Sequence, residues 1–294
     1  MKINLRARHP FSLSAVIQSH GWSRLAPFHY HSESGALRYT HRLHTGRVML
    51  LAIHEGQVGV RVEIPDQIEE VEVSQIAADV TWMLGLDQDF SEFYKLAAEE
   101  PKLAHVPVKA QGRILRSPTL FEDVVKTILT TNTAWGGTIR MNEALIAQFG
   151  DLLPGDNAQQ AFPTPARLAA SDEETLREST RLGYRSPYIL QLAREIDQGS
   201  RDLEALKSSA LSSEELRQEL LSIKGVGNYA AANLLMLLGH YDYLTIDSWA
   251  LKMVSNEWYD GEPIEPTDVE DAFERWGKWK GLAYWLWDWS FEEG

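Results

Sequence analysis

The spacing of apolar residues changes once along this chain, and that change restricts it to a small sheet followed by a helical body. Up to about residue 70 the pattern is that of strands. Ala36–Leu43 and Arg47–Ile53 are short runs rich in β-formers, and Gln57–Ile64 alternates polar or small residues with apolar ones. Ser34-Gly35, Thr45-Gly46 and Glu55-Gly56 mark turns between them, which predicts a small antiparallel sheet.

From about Val73 onward the period is helical. Ser117-Pro118 reads as a helix start with Ser117 as cap, and behind it Phe121, Val124, Val125, Ile128 and Leu129 form one apolar stripe. That helix stops in Thr130–Thr133, and a second runs from about Ala134 to Phe149 with Gly150 as its terminator. Leu153–Pro165 reads as a loop, and Ser171-Asp172-Glu173-Glu174 as a capping box. Helices follow over Pro187–Gln198 and Ser212–Leu221. The fold expected is α+β but mainly α: an antiparallel β domain over 1–72, then a helical domain of about ten helices over 73–294.

Composition narrows the chemistry. The chain of 294 residues has no cysteine, which excludes disulfides, a thiolate nucleophile, cysteine-held zinc and a cysteine-held iron–sulfur cluster. It has no apolar run of membrane-spanning length, and Met1–Phe11 lacks the apolar stretch of a signal peptide, so the expectation is a cytoplasmic protein with no membrane partner. The net charge is −14, yet unevenly spread: residues 1–70 carry eight Lys/Arg against six Asp/Glu, and the remainder 20 against 36. An acidic balance weakens long-range steering toward a polyanion while permitting a local basic footprint.

The most informative segment is Ile223-Lys224-Gly225-Val226-Gly227-Asn228, which joins an apolar helix (Leu216, Leu220, Leu221) to another running through Tyr229–Leu238. A tight Gly-X-Gly turn between two helices leaves backbone N–H groups exposed at the start of the second, where they and the positive dipole end suit a phosphate. Glycine permits close approach of the backbone, and Lys224 can add a charge. A plain helical corner would use the same glycines. Twenty residues after Gly227, in Thr245-Ile246-Asp247-Ser248-Trp249-Ala250, stands Asp247. By itself it reads as the cap of the following helix.

The hairpin with an aspartate at this spacing resembles the helix-hairpin-helix DNA glycosylase superfamily. Ser117–Gly150 is similar to that family's helix, wedge turn and helix. Arg181-Leu182-Gly183-Tyr184-Arg185 is similar to the Leu-Gly-Tyr-Arg segment of its 3-methyladenine and 8-oxoguanine branches, and the N-terminal sheet and Trp279–Trp285 also fit them. The resemblance implies an all-helical, two-lobed domain with the hairpin at 216–238. It implies an enzyme that flips a damaged base, most closely an alkylated purine, out of double-stranded DNA and cuts its N-glycosidic bond. Asp247 is then the catalytic carboxylate, and Lys224, Gly225, Val226, Gly227 and Asn228 form the DNA-binding hairpin. Thr131 and Asn132 stand at the wedge, and Tyr229, Trp249, Trp135 and Trp287 are candidates for the base pocket. Ten tryptophans in a helical protein mostly fill interior volume, so core packing competes for each aromatic. Arg113, Arg116, Arg185 and Lys252 are candidate phosphate contacts.

Members that also cleave the strand carry a Schiff-base lysine two residues after the second glycine; here that residue is Tyr229, which has no amine. The reading is therefore a monofunctional, monomeric hydrolase needing no cofactor or catalytic metal, with room only for a structural monovalent cation at the hairpin. Seven of the nine histidines lie within residues 9–54, with His29 and His31 on one strand face and His41 and His44 nearby, and surface histidines explain them better than a metal site. Two alternatives stand beside it: a bifunctional oxidised-purine glycosylase and lyase using another lysine such as Lys252, and a non-catalytic binder of DNA structure.

Overall fold

The computed structural model describes residues 1–64, 68–244 and 246–288. Strands β1 (Lys2–Arg6), β2 (Phe28–His31), β3 (Ala36–Arg42), β4 (Val48–Gly56) and β5 (Gly59–Glu63) form one antiparallel sheet in the order β1-β5-β4-β3-β2. Register pairs Leu37 with Ile53, Tyr39 with Leu51 and Ile53 with Val62, so these buried side chains share one face. A short helix, α1 (Leu13–Ile17), and a 3₁₀ turn over Gly21–Arg24 lie between β1 and β2.

The helical body begins with α2 (Glu70–Leu84), α3 (Ser91–Ala98) and α4 (His105–Val108). Next comes α5 (Leu120–Thr130), whose residues from Leu120 to Leu129 are all buried. Its cap is Thr119, which accepts from the Glu122 N–H, and not Ser117, whose own N–H donates to Asp123 at 2.9 Å. Pro118 therefore precedes the cap instead of following it. The next helix, α6 (Trp135–Phe149), ends at Gly150 in extended backbone, where a Cβ would lie 2.5 Å from the Ala161 carbonyl. The stretch expected to be a loop folds into a small hairpin of β6 (Leu152–Leu153) and β7 (Asp156–Gln160). Helices α7 (Pro165–Ala169), α8 (Glu173–Thr180), α9 (Ser186–Asp197), α10 (Ser213–Leu221), α11 (Asn228–Leu238), α12 (Ser248–Trp258), α13 (Pro266–Phe273) and α14 (Lys280–Leu286) complete the chain. Among the described residues no helix is long and apolar enough to cross a membrane.

The change of period near residue 72 divides the chain by pattern, while in space sheet and helices share one core. Polar groups tie the two together. The Tyr39 hydroxyl donates to Glu122 at 2.7 Å, Trp22 Nε1 donates to Asp123 at 2.8 Å, and Lys126 sits 2.6 Å from Glu122 and over the Phe28 ring. A lysine this deeply enclosed persists because its carboxylate partner is enclosed with it. His29 and His31 are exposed on β2, whereas His41 is buried with Nε2 3.0 Å from Asp79. No three His, Asp or Glu side chains among the described residues come together as a metal site.

Candidate active site

Helix α10 starts in the capping box Ser212/Glu215, and its last turn runs into the predicted hairpin. Gly225 adopts φ +93°, and a Cβ there would meet Tyr188 at 2.7 Å, so this glycine serves both the turn and its packing on α9. Gly227 is different: its φ of −96° is open to any residue, and a Cβ would meet nothing within 4 Å. It caps α11 without a side-chain hydrogen bond, which leaves the first N–H groups of that helix open to an incoming anion. Val226 is buried as the hairpin's plug, and the Asn228 side chain accepts from Arg217 at 3.0 Å. With no carboxylate in Lys224–Asn228, a monovalent cation there would rest on backbone carbonyls and the Asn228 amide oxygen, and both the Ile223 carbonyl and that amide oxygen already accept hydrogen bonds.

Beyond α11 the chain turns back, and Asp247 begins α12. One carboxylate oxygen, Oδ1, accepts from both Trp249 N–H (3.0 Å) and Ala250 N–H (2.9 Å). Oδ2 is left for a partner outside the helix. The carboxylate opens onto a cavity of about 350 Å³ bounded by Tyr229, Asn233, Met236, Trp249, Tyr284 and Trp285. Burial, and secondly the Asp247 charge, push the Tyr284 phenol up. A second cavity, of about 250 Å³, shares Tyr229, Asn233, Met236 and Trp285 with the first and continues to His20, Gly21, Trp22 and Trp135. The two are chambers of one cleft, with Asp247 at one end and the loop after α1 at the other. Among the described residues no lysine lines either chamber.

A third hollow, of about 580 Å³, runs from the hairpin to the turn between α5 and α6 and carries Tyr229, Gly225, Gly227, Thr131 and Asn132 on its walls. Asn132 is exposed with φ +47°, its amide 3.4 Å from the Tyr184 hydroxyl. Tyr229, 54% exposed, borders all three hollows.

The sequence model of the HhH-GPD superfamily of base excision DNA repair proteins matches residues 125–278, just over half of the chain. The chain belongs to that superfamily. Among solved structures it is similar to the 3-methyladenine DNA-glycosylase of Archaeoglobus fulgidus (TM-score 0.75, 23% identity, 97% of each chain covered). It is also similar to MBOgg1 in complex with a low-affinity DNA ligand (TM-score 0.72, 21% identity, 95% of this chain and 91% of the other). The apo 8-oxoguanine glycosylase/lyase of Clostridium acetobutylicum is a further likeness (TM-score 0.68, 21% identity, 92% and 93%). At these identities the likeness establishes the fold. No curated protein matches the chain in sequence.

Within this HhH-GPD fold several expected contacts take other places. Trp287 is 6% exposed and packs against Trp258, Phe273 and Trp276, so it belongs to the core and not to the cleft. Trp285, two residues earlier, lines both chambers instead. Arg113 is buried and donates to the carbonyls of Arg8, Pro10, Gly85 and Gln88, and Arg116 is buried over the Trp82 ring; neither is placed to meet a phosphate. Arg185 is likewise buried, and its guanidinium donates to the Ile128 and Thr131 carbonyls, fixing the turn between α5 and α6. The Leu182–Tyr188 segment thus has a structural logic: Arg185 holds the turn between α5 and α6, Tyr184 bonds Thr131 and Asn132, and Tyr188 seats Gly225. Lys252 is exposed and lines none of the three hollows.

Proposed function

We propose that this HhH-GPD protein is a monofunctional DNA glycosylase that flips an alkylated purine out of double-stranded DNA and hydrolyses its N-glycosidic bond, leaving an abasic site. The observation that carries this is Asp247, a carboxylate with one oxygen held by two backbone N–H groups and the other open, standing on a cleft lined by aromatic side chains. The open N–H groups of α11 take the DNA phosphate, and Asn132 at the wedge fills the gap left by the flipped base. The sugar then lies against Asp247, whose negative charge stabilises the oxocarbenium ion as the C1′–N bond breaks. A water held by Oδ2 adds to the anomeric carbon and gives up its proton to the carboxylate. An alkylated purine that is already cationic leaves without protonation, and the ring faces of the cleft favour that cation.

Water is the nucleophile in this reading because Tyr229 stands where a lysine would attack and, among the described residues, no lysine lines the cleft or the hairpin hollow. Incubation with alkylated duplex DNA should give unbroken strands that break only in hot alkali. Borohydride added during turnover should trap no protein–DNA crosslink. A crosslinked band would establish a Schiff base and put the bifunctional enzyme in place of this one.

A further inference from the structure

Most polar side chains of the inner chamber, the one lined by His20 and Trp135, spend a hydrogen inside the protein. His20 Nε2 lies 2.6 Å from the Leu115 carbonyl. A carbonyl only accepts, so the ring hydrogen is on Nε2 and Nδ1 keeps its lone pair. The same logic fixes Asn233, whose amide nitrogen donates to the Tyr229 carbonyl at 2.8 Å and leaves Oδ1 as an acceptor. Thr127, Thr130 and Thr138 each donate their only hydroxyl hydrogen to a main-chain carbonyl of α5, those of Asp123, Thr127 and Leu129. The indole N–H of Trp285 goes to the Ser19 carbonyl. What these groups turn toward the chamber is lone pairs; the donors left are the second amide hydrogen of Asn233, the Trp135 indole N–H, which has no partner among the described residues, and the Tyr229 hydroxyl.

Resting on the reading of this cleft as a base pocket, we infer that His20 is a specificity-determining residue whose Nδ1 accepts a hydrogen bond from the 6-amino group of a flipped adenine. The chamber then selects an alkylated adenine over an alkylated guanine. The two cations carry the same charge but differ at the 6-position, where adenine has an amine and guanine a carbonyl. A carbonyl brought against Nδ1 sets lone pair on lone pair, whereas an amine supplies the missing donor. The ring is fixed in this orientation, since it packs 4.6 Å from the Trp22 ring and is bonded to Leu115. Burial pushes its pKa down to about 4, so at neutral pH it is uncharged and does not repel a cationic base. Beside it, Gly21 gives Trp135 room to stand as the opposite wall, since a Cβ there would lie 2.3 Å from that ring.

Duplex DNA treated with a labelled methyl donor carries both 3-methyladenine and 7-methylguanine, so one substrate reports both releases. The wild type should free 3-methyladenine faster. His20→Phe keeps a ring against Trp22 but no acceptor, and should lower the 3-methyladenine to 7-methylguanine rate ratio by about tenfold, the worth of one hydrogen bond to a buried group. His20→Gln, which retains both an N–H for Leu115 and an oxygen acceptor, should restore most of the ratio. Melting temperatures establish that each variant is folded. Equal losses of both bases at an unchanged ratio would make His20 merely structural and overturn this inference, leaving the glycosylase reading intact. Release of neither base by the folded wild type would overturn that reading as well.

Discussion

Two consecutive helices of this protein start in opposite ways. Helix α11 begins at Gly227 with no side chain over its first N–H groups, whereas α12 begins at Asp247, whose carboxylate takes two of them. Every helix start leaves such donors, and a protein that seals all of them gives an external anion nothing to bind. Here one start is left open toward the hollow that reaches the wedge, and the other is filled by a charge facing the cleft. The first is suited to hold a backbone phosphate, the second to meet a developing positive charge. One helix and its return lie between them in sequence, yet Tyr229, the second residue of α11, lines the same cavity as Asp247.

Removing the charge at the closed start should have the largest effect. Asp247→Asn keeps an oxygen for the cap but loses the carboxylate, and base excision should fall at least about a hundredfold, roughly 2.7 kcal/mol. Affinity for DNA with an abasic analogue should stay nearly unchanged if, as proposed, the phosphate is held at α11. Loss of binding with activity per bound complex preserved would reverse the assigned roles.

The two hairpin glycines separate stability from binding. Gly225→Ala forces a side chain into φ +93° and onto Tyr188, and should destabilise the fold by about 1–3 kcal/mol, read as a lower melting temperature. Gly227→Ala meets no protein atom and should cost less than about 1 kcal/mol of stability. The same methyl group stands where a phosphate would approach, so DNA affinity should drop about tenfold. Unaltered DNA affinity in Gly227→Ala would end the assignment of the open start to phosphate.

The smallest effect extends the comparison to α5, a start closed entirely from within. Glu204 accepts from the Leu120 and Phe121 N–H groups, and Asp123 accepts from Ser117. Burial raises Asp123 from 3.8 to about 6, so the native state holds a proton there that the unfolded chain has already released, and stability falls as pH rises across that window. His20 is lowered from 6.5 to about 4, so over much of the same range the unfolded chain holds the extra proton and stability rises with pH. The two slopes oppose each other in the wild type. Asp123→Asn leaves His20 alone and should make the melting temperature climb more steeply between pH 4 and 6 than in the wild type. Identical slopes would mean that the two groups do not titrate as their burial implies.

Sequence pattern reaches the features that demand a particular residue. The alternation in β4 and β5 follows from one buried sheet face, and the hairpin is legible because only glycine adopts the backbone of residue 225. Asp247 is legible because a cap has a fixed place relative to the helix it opens. Short elements escape: α4 and α7 span four and five residues, too few to show a helical period, and β6 with β7 hides in a stretch rich in turn residues. Direction escapes too. Trp285 and Trp287 read alike in sequence, but two residues at a helix end point about 200° apart, and one enters the cleft while the other enters the core. Arg185 is visible as part of a motif, yet nothing in the string says that its guanidinium turns inward to the wedge carbonyls. His20 carries no signal at all, since its role comes from a carbonyl ninety-five residues away.

The bond from the Trp285 indole to the Ser19 carbonyl spans 266 residues, and it joins the two segments that close the inner chamber. On a ribosome, where segments fold in the order they emerge, the sheet and α5 can settle early, and the hairpin can form before the far wall exists. Until Trp285 leaves the exit tunnel the cleft lacks a side, so the chamber is complete only once these two distant segments have met.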